Sequence, residues 1–150
     1  MNLREGTPQD TGRAFAIWRA AVDATHGFLA SEDKARFASI VKAVLDSTPL
    51  TLVEDETGQG QGFMVFQDGS IEALFVDPAV HGRGFGTALI AQALSIDPQA
   101  KVDANEQADN AVAFYEAKGF VRIGRSDSDP EGLPYPIIHL RHPGPEVAIT

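Results

Sequence analysis

The sequence predicts an α/β fold of the α+β type, in which one mixed sheet carries helices on both faces. Two segments with apolar residues at helical spacing come first, segments with strand character follow, and helices then alternate with strands. A chain of 150 residues, of which 43% are hydrophobic, can bury one core. We therefore expect a single domain over residues 1–142 and a loose tail over residues 143–150.

Two helices are predicted before the first strand. The pair Asp10-Thr11 can cap the first helix, which should end near His26. The second helix begins near Ser31, and the apolar residues of Phe37–Leu45 follow the i, i+3, i+4, i+7, i+8 rule. Each helix therefore has one apolar stripe to bury.

The remaining elements are predicted from β-rich runs, helical spacing and turn residues. A Gly/Gln-rich turn separates the first two strands, and Asp77-Pro78 ends the third, because proline lacks a backbone donor and disfavours helix before it. The predicted strands are Leu50–Glu54, Phe63–Phe66, Ile71–Val76, Ala100–Ala104, Phe120–Gly124 and Pro136–Leu140, and the predicted helices are Thr87–Leu94 and Ala111–Lys118.

Composition excludes several classes of function. Twenty-one acids against 12 bases give a net charge of -9, which disfavours binding to nucleic acid or to an anionic membrane. The chain has no cysteine, so it can form neither a disulfide nor a cysteine acyl-enzyme. The polar start, Met1–Asp10, and the lack of a long apolar stretch predict a cytoplasmic protein. No metal-ligand spacing connects the four histidines, so no metal is expected.

A glycine-rich turn, His81–Gly86, lies between the third strand and the next helix. Its glycines let the main chain approach an anion, and the positive end of the helix dipole favours a pyrophosphate. A dinucleotide loop starting at Gly82 or Gly84 would need glycine or alanine where Thr87 or Leu89 stands, and the Gly-Lys-Ser/Thr of a triphosphate loop is absent. A tight connection without a ligand stays open as the alternative.

Following a strand that ends in Val-Asp-Pro, this turn resembles the motif Gln/Arg-x-x-Gly-x-Gly/Ala of the GCN5-related N-acetyltransferase (GNAT) superfamily. Gly84 and Gly86 match its glycines, while His81 replaces the Gln/Arg, and Arg83 is the candidate for the missing charge. The segment Ala111–Phe120 resembles the second signature, a helix reading Ala-Ile-x-Phe-Tyr that closes at Gly-Phe. Segments Val22–Leu29, Asn105–Gln107 and Pro134–Pro136 extend the resemblance to a YjaB-like bacterial subgroup.

This resemblance implies a GNAT-type fold, whose mostly antiparallel sheet splays at the cofactor site, with acetyl-coenzyme A (acetyl-CoA) as co-substrate. The family asparagine is missing at Ala108, so Asn110 or Asn105 would compensate. The residues implied to bind acetyl-CoA are Leu74, Phe75, Val76, His81, Gly82, Arg83, Gly84, Phe85, Gly86, Thr87, Asn105, Asn110 and Phe114. By the same resemblance Tyr115 is the general acid that protonates the leaving thiolate, although a Phe-Tyr pair can also simply anchor a helix.

The acceptor is expected to be a primary amine of a small molecule or peptide, which attacks the thioester directly in a ternary complex. Glu72 is the candidate base, since strand alternation predicts that it faces away from Ile71, Ala73 and Phe75. A water chain is an alternative base. The expected acceptor-binding residues are His26, Phe28 and Tyr135, with His26 also an alternative base.

Two rival functions and two oligomeric states stay open at this stage. A noncatalytic acyl-CoA binding or sensing module would keep the glycine turn without turnover, although Tyr115 argues against it. A dinucleotide-binding oxidoreductase is weakened by Thr87 and Leu89. The protein is expected to be a monomer or a homodimer.

Overall fold

The computed structural model describes residues 1–25, 27–108 and 110–145, which form seven strands and four α-helices. The strands are β1 (Asn2–Glu5), β2 (Thr51–Glu54), β3 (Gly60–Gln67), β4 (Ser70–Val76), β5 (Lys101–Asn105), β6 (Val121–Ser126) and β7 (Ile137–Arg141). The helices are α1 (Thr11–Thr25), α2 (Ser31–Ser47), α3 (Phe85–Ile96) and α4 (Ala111–Ala117), with short 3-10 turns at Pro8–Asp10 and Pro78–Val80.

All seven strands join one mixed sheet in the order β1-β2-β3-β4-β5-β7-β6. Pairing is antiparallel everywhere except between β4 and β5, which run parallel. The sheet therefore has two antiparallel arms that meet at one parallel junction. The predicted mixed α/β fold with two amino-terminal helices is confirmed.

Helices cover both faces of the sheet and divide its apolar side chains into two cores. On one face α1 and α2 pack Ile17 and Leu45, respectively, against strand residues such as Phe63. On the other face α3 and α4 pack Leu89 and Tyr115, respectively, against strand residues such as Leu140. In the described ranges, no helix combines the length and apolarity that crossing a bilayer requires.

The first strand, β1, was not predicted from the sequence. It pairs with β2 but is short and polar, and Leu3 is its one apolar side chain, so no alternating pattern marks it. Arg4 fixes it instead, because its guanidinium lies 2.8 Å from Glu54 of β2 and 2.8 Å from Asp10 before α1. An ion-pair network thus joins the edge of the sheet to the start of the first helix.

We expect Asp10→Asn to lower stability at pH 7 by about 1–2 kcal/mol, since Asp10 both pairs with Arg4 and accepts the Thr7 amide. The hydrogen bonds from Arg4 hold the pKa of Asp10 well below its usual 3.8. Stability from such a group is present above the unfolded-state pKa and is lost as pH falls towards the folded-state value. Urea unfolding should therefore show the difference between the two proteins shrinking below about pH 4. A constant difference down to pH 2.5 would contradict this assignment.

Strand β7 is followed by the segment predicted to be a loose tail, residues 143–150, of which the structure describes residues 143–145. The amide of His142 donates to Ala100 at 2.9 Å, and its ring packs edge-on against Phe120 with centroids 5.3 Å apart. The amide of Gly144 in turn donates to Nδ1 of His142 at 3.0 Å. Residues 142–144 are therefore fastened to the sheet, and residues 146–150 lie outside the described residues.

Candidate active site

The candidate site begins where β4 and β5 stop pairing. These two parallel strands pair at only two positions, Ser70 with Lys101 and Ile71 with Val102. Immediately afterwards β4 shifts its register against β3, so that Glu72 is an extra residue between two paired positions. Such a bulge bends a strand and increases its local twist. The remainder of β4, which ends at Val76, is therefore unpaired on the side of β5.

Backbone amides of β4 point into this gap. The amide of Asp77 donates to Gln61 next to β3 at 2.9 Å, and successive N–H groups in a strand point to opposite sides. The amides of Leu74 and Val76 therefore point away from β3, into the gap. The amide of Phe75 faces β3 instead, although Phe75 does line the cavity described next.

A cavity of about 810 Å³ occupies the gap between the two arms. Its walls come from the last turns of α1, the end of β4, the glycine-rich turn with the start of α3, and α4 with the residues before it. Eleven of the predicted cofactor-binding residues line it, and nine of these are Leu74, Phe75, Val76, His81, Gly82, Gly84, Phe85, Gly86 and Thr87. The two remaining lining residues from that prediction, Asn110 and Phe114, belong to the wall formed by α4.

Each glycine of the turn is needed for its own structural reason. Gly82 and Gly84 have φ angles of 81° and 90°, in the left-handed region that side chains rarely adopt. Gly84 caps α3, and the first α3 amide hydrogen-bonded to the turn is that of Ala88, which leaves the amides before it available to an anion. At Gly86 a Cβ would meet the ring of Phe114 at 3.1 Å, so glycine lets α3 lie close to α4.

His81 holds the turn in place. Its Nε2 lies 3.1 Å from the carbonyl oxygen of Val76, to which it donates when Nε2 carries a proton. This hydrogen bond folds the turn back on the end of β4. Arg83, in contrast, is exposed and does not line the cavity, so the structure does not place it as a replacement for the family's Gln/Arg.

A second anchor for the turn comes from α1. Arg13 forms an ion pair with Asp77 at 2.9 Å and donates to the carbonyl oxygen of Gly60 at 2.8 Å. The other carboxylate oxygen of Asp77 accepts the amide of Ala79 at 3.0 Å. Arg13 thus connects α1, the start of β3 and the residues that lead into the glycine-rich turn.

We expect Arg13→Met to raise the KM for acetyl-CoA roughly three- to tenfold and to leave kcat nearly unchanged, because the turn loses one charged hydrogen bond but no catalytic group. Arg19→Met is the matched control, since Arg19 lies on the same helix and contacts the Phe15 ring at 5.3 Å. Steady-state kinetics with varied acetyl-CoA makes the measurement. An unchanged KM in the folded Arg13 variant would show that the anchor does not position the turn.

Tyr115 stands at the α4 wall of the cavity. Its ring packs edge-on against Phe114 and Phe120, with centroids 5.3 and 5.7 Å apart, so the side chain is held rigidly. Burial raises its pKa above the usual value of 10, which keeps the hydroxyl protonated at neutral pH. That hydroxyl has no hydrogen-bond partner among residues 1–25, 27–108 and 110–145. Tyr115 is thus a rigidly held, protonated phenol at the cavity wall.

The two candidate asparagines have different positions. Asn110 lines the cavity, has a left-handed φ of 62° and precedes α4, where its carbonyl accepts the amide of Phe114 at 2.9 Å. Asn105 does not line the cavity, and its side-chain oxygen accepts the Gln107 amide at 3.0 Å within its own turn. Ala108 forms part of the wall where the family has asparagine. Only Asn110 is therefore placed to substitute for that residue.

Glu72 is exposed and is not among the residues that line the cavity. The alternation argument that predicted its orientation is wrong, because the bulge changes the face of the strand. Ile71 packs in the core under α3 and α4, whereas Ala73 and Phe75 pack in the core under α1 and α2. The structure therefore gives no support to Glu72 as a base in the cavity.

Two of the predicted acceptor-binding residues, Phe28 and Tyr135, contact each other but do not line the cavity. The rings of Phe28 and Tyr135 are 5.8 Å apart, where the connection between α1 and α2 contacts the one between β6 and β7. The Tyr135 hydroxyl donates to Asp33, which raises its pKa, and accepts the amide of Ala30 at 3.3 Å. Tyr135 thus fastens two connections together. The third predicted residue, His26, lies outside the described residues.

Sequence reasoning missed two parts of the wall. Lys118 lines the cavity with its Nζ 5.6 Å from the centre of the Phe114 ring. It follows Tyr115 by three positions, a spacing that places residues on one side of a helix and could have identified it. The end of α1 contributes Ala21, Ala24 and Thr25, whose small size leaves space. Within the described ranges no group of histidine and acidic side chains could hold a metal ion.

Comparisons with known proteins agree with this geometry. A family model described as "Acetyltransferase (GNAT) domain" matches residues 20–135. The peptidyl-lysine N-acetyltransferase YjaB of Escherichia coli is 38% identical over 96% of this chain and 98% of its own, and that of Salmonella typhimurium is 37% identical over 95% and 99%. The solution structure of apo-form E. coli YjaB superimposes with a TM-score of 0.90 over 96% of this chain and 98% of that one.

The chain therefore belongs to the GNAT acetyltransferase family, and the resemblance to YjaB read from the sequence is confirmed. It is an N-acetyltransferase that takes its acetyl group from acetyl-CoA. This family membership does not support a noncatalytic binding module. A dinucleotide-binding oxidoreductase is also excluded, because the sheet is antiparallel except at one junction.

Proposed function

We propose that this chain acetylates the ε-amine of lysine side chains in peptides or proteins. The observation that carries the proposal is one cavity with a glycine-rich turn at one wall and, at another, the side chain of Tyr115, whose hydroxyl bonds to no described residue. The acceptor class is supported by two relatives at 37–38% identity, each named a peptidyl-lysine N-acetyltransferase and matched over nearly its whole length.

The glycine-rich turn would hold the pyrophosphate of acetyl-CoA. The open amides at the start of α3 and the bare main chain at Gly82 and Gly84 provide donors without side-chain obstruction. Lys118 is the one side chain with a permanent positive charge among the described lining residues, and it adds attraction for the phosphates. Asn110 and Phe114 would contact the remainder of the co-substrate.

The amides of Leu74 and Val76 would stabilise the charge that develops on the thioester carbonyl oxygen. Fixed backbone donors cost no reorganisation when that charge forms, which is why such groups accelerate acyl transfer. The lysine nitrogen attacks the carbonyl carbon directly, since the chain has no cysteine to form an acyl-enzyme. As the carbon–sulfur bond breaks, the hydroxyl of Tyr115 gives its proton to the sulfur.

The attacking amine must first lose a proton, because an alkylamine with a pKa of about 10.4 is mostly charged at neutral pH. No carboxylate is among the described residues that line the cavity. We therefore assign this proton to solvent water, and Glu72→Gln tests the alternative. If Glu72 is the base, that variant loses most of its kcat, whereas water as the base leaves the rate close to wild type.

The acceptor class is tested with an amino-blocked peptide that contains one lysine, the same peptide with norleucine, free lysine and a small polyamine. Free thiol release and the mass of each product are measured with acetyl-CoA in excess. Acetylation of the lysine peptide, with no product from the norleucine peptide, is the expected result. If the polyamine or free lysine is acetylated far faster than any peptide, the acceptor is a small molecule instead.

A further inference from the structure

Three side chains outside the acetyl-CoA cavity form a hydrogen-bonded chain. His139 of β7 lies between Asp103 of β5, whose Oδ1 is 2.6 Å from its Nδ1, and Ser126 of β6, whose Oγ is 2.7 Å from its Nε2. Neither family signature includes any of these residues, and none of them lines the cavity.

The sheet itself brings the three residues together. Asp103 and His139 are directly paired across β5 and β7, and β7 separates β5 from β6. Their strand neighbours Val102 and Ile138 pack in the core under α3 and α4. Asp103 and His139 therefore point to the opposite face of the sheet. His139 lies opposite Gly124 of β6, and its imidazole extends along β6 to Ser126.

The donor and acceptor atoms of the three side chains determine the direction of both hydrogen bonds. A carboxylate can only accept, so Asp103 takes the Nδ1–H of His139. In the neutral ring Nε2 then carries a lone pair and accepts the hydroxyl proton of Ser126. The serine is thus held against a base whose tautomer is set by a carboxylate, which is the arrangement that activates a serine nucleophile.

We propose that Ser126 is an activated nucleophile and that this chain carries a second acyl-accepting site, separate from the N-acetyltransferase site. Its donors would be activated esters and thioesters, which need little help in losing their leaving group. Oγ of Ser126 attacks the acyl carbon and its proton passes to Nε2 of His139. The bond to the leaving oxygen or sulfur breaks, and the proton of His139 then goes to that group or to water.

The site is open to such donors. The side chains of His139 and Asp103 are 32% and 57% exposed, and Ser126 is partly exposed. Other serines offer a contrast, because Ser47 and Ser95 donate to helix carbonyl oxygens at 2.7 and 2.6 Å. A carbonyl oxygen is not a base, so those hydroxyls gain no nucleophilic activation.

The test is acylation of the full chain by p-nitrophenyl acetate and, in a second arm, by acetyl-CoA without amine, followed by peptide mass mapping. Ser126 should acquire an acetyl group in at least one arm, and faster than Ser47 or Ser95. His139→Gln should slow this labelling by at least about tenfold, and Asp103→Asn should slow it less, since Asp103 positions the base but does not touch the serine. Tyr115→Phe should label like wild type, because the reaction does not use the acetyltransferase site.

Ser126→Ala serves as the blocked variant and Ser47→Ala as its matched control. Both should release thiol with an amine acceptor at the wild-type rate, so a failed acetyltransferase assay can be told apart from a failed labelling assay. Labelling of Ser126 in neither arm, no faster than that of Ser47, or at an equal rate in the folded His139 and Asp103 variants, would overturn the proposal. Loss of amine acetylation in Ser126→Ala would also overturn it, because the residue would then belong to the first site.

Discussion

Tyr115→Phe is expected to lower kcat by about 10²-fold or more while the KM for acetyl-CoA changes by roughly twofold or less. The ring that packs against Phe114 and Phe120 is kept, so the variant loses only the hydroxyl. That hydroxyl donates to no other described residue, so its removal leaves no buried partner unpaired. The loss should therefore fall on the chemical step, measured as thiol release with acetyl-CoA and acceptor both saturating.

The chain offers a matched control for this variant, because its second tyrosine is Tyr135. Tyr135→Phe also removes one hydroxyl, but that hydroxyl bonds Asp33 and the amide of Ala30 and does not reach the cavity. We expect a smaller change, confined to the KM for the acceptor. Equal losses of kcat in the two variants would remove the general-acid assignment from Tyr115.

The elements with a strong local pattern could be predicted from the sequence. The apolar stripe of α1 and the proline that ends β4 depend only on neighbouring residues, and both elements are found close to their predicted limits. The glycine-rich turn and the motif around Tyr115 were equally readable, because each occupies a few consecutive residues. That the turn and Tyr115 line one cavity could be predicted only from the family resemblance.

What the sequence could not reveal depends on pairing between distant strands. The bulge at Glu72 shifts the face of β4 through its register with β3, and no local residue pattern signals it. The insertion of β7 between β5 and β6, which joins Asp103, His139 and Ser126, is likewise a property of the whole sheet. The polar strand β1 exists because Arg4 and the edge of β2 hold it, not because of its own composition.

A test of the glycine-rich turn can separate backbone strain from loss of acetyl-CoA binding. Gly82 and Gly58 have nearly equal φ angles of 81° and 86°, and a Cβ built on either meets no atom within 4 Å. Replacing either residue with alanine therefore imposes the same left-handed strain, which is about 1–2 kcal/mol. The two positions differ in one respect, since Gly82 lines the cavity and Gly58 lies in the turn between β2 and β3.

We expect Gly82→Ala to weaken acetyl-CoA binding by about tenfold or more, because the added methyl group stands where the main chain must approach the pyrophosphate. Gly58→Ala should bind acetyl-CoA as wild type does while losing a similar amount of stability. Isothermal titration with coenzyme A, paired with urea unfolding of both variants, measures the two quantities separately. If the two variants bind equally well, the bare main chain at Gly82 does not hold the diphosphate. The anion must then be held by the amides at the start of α3 alone.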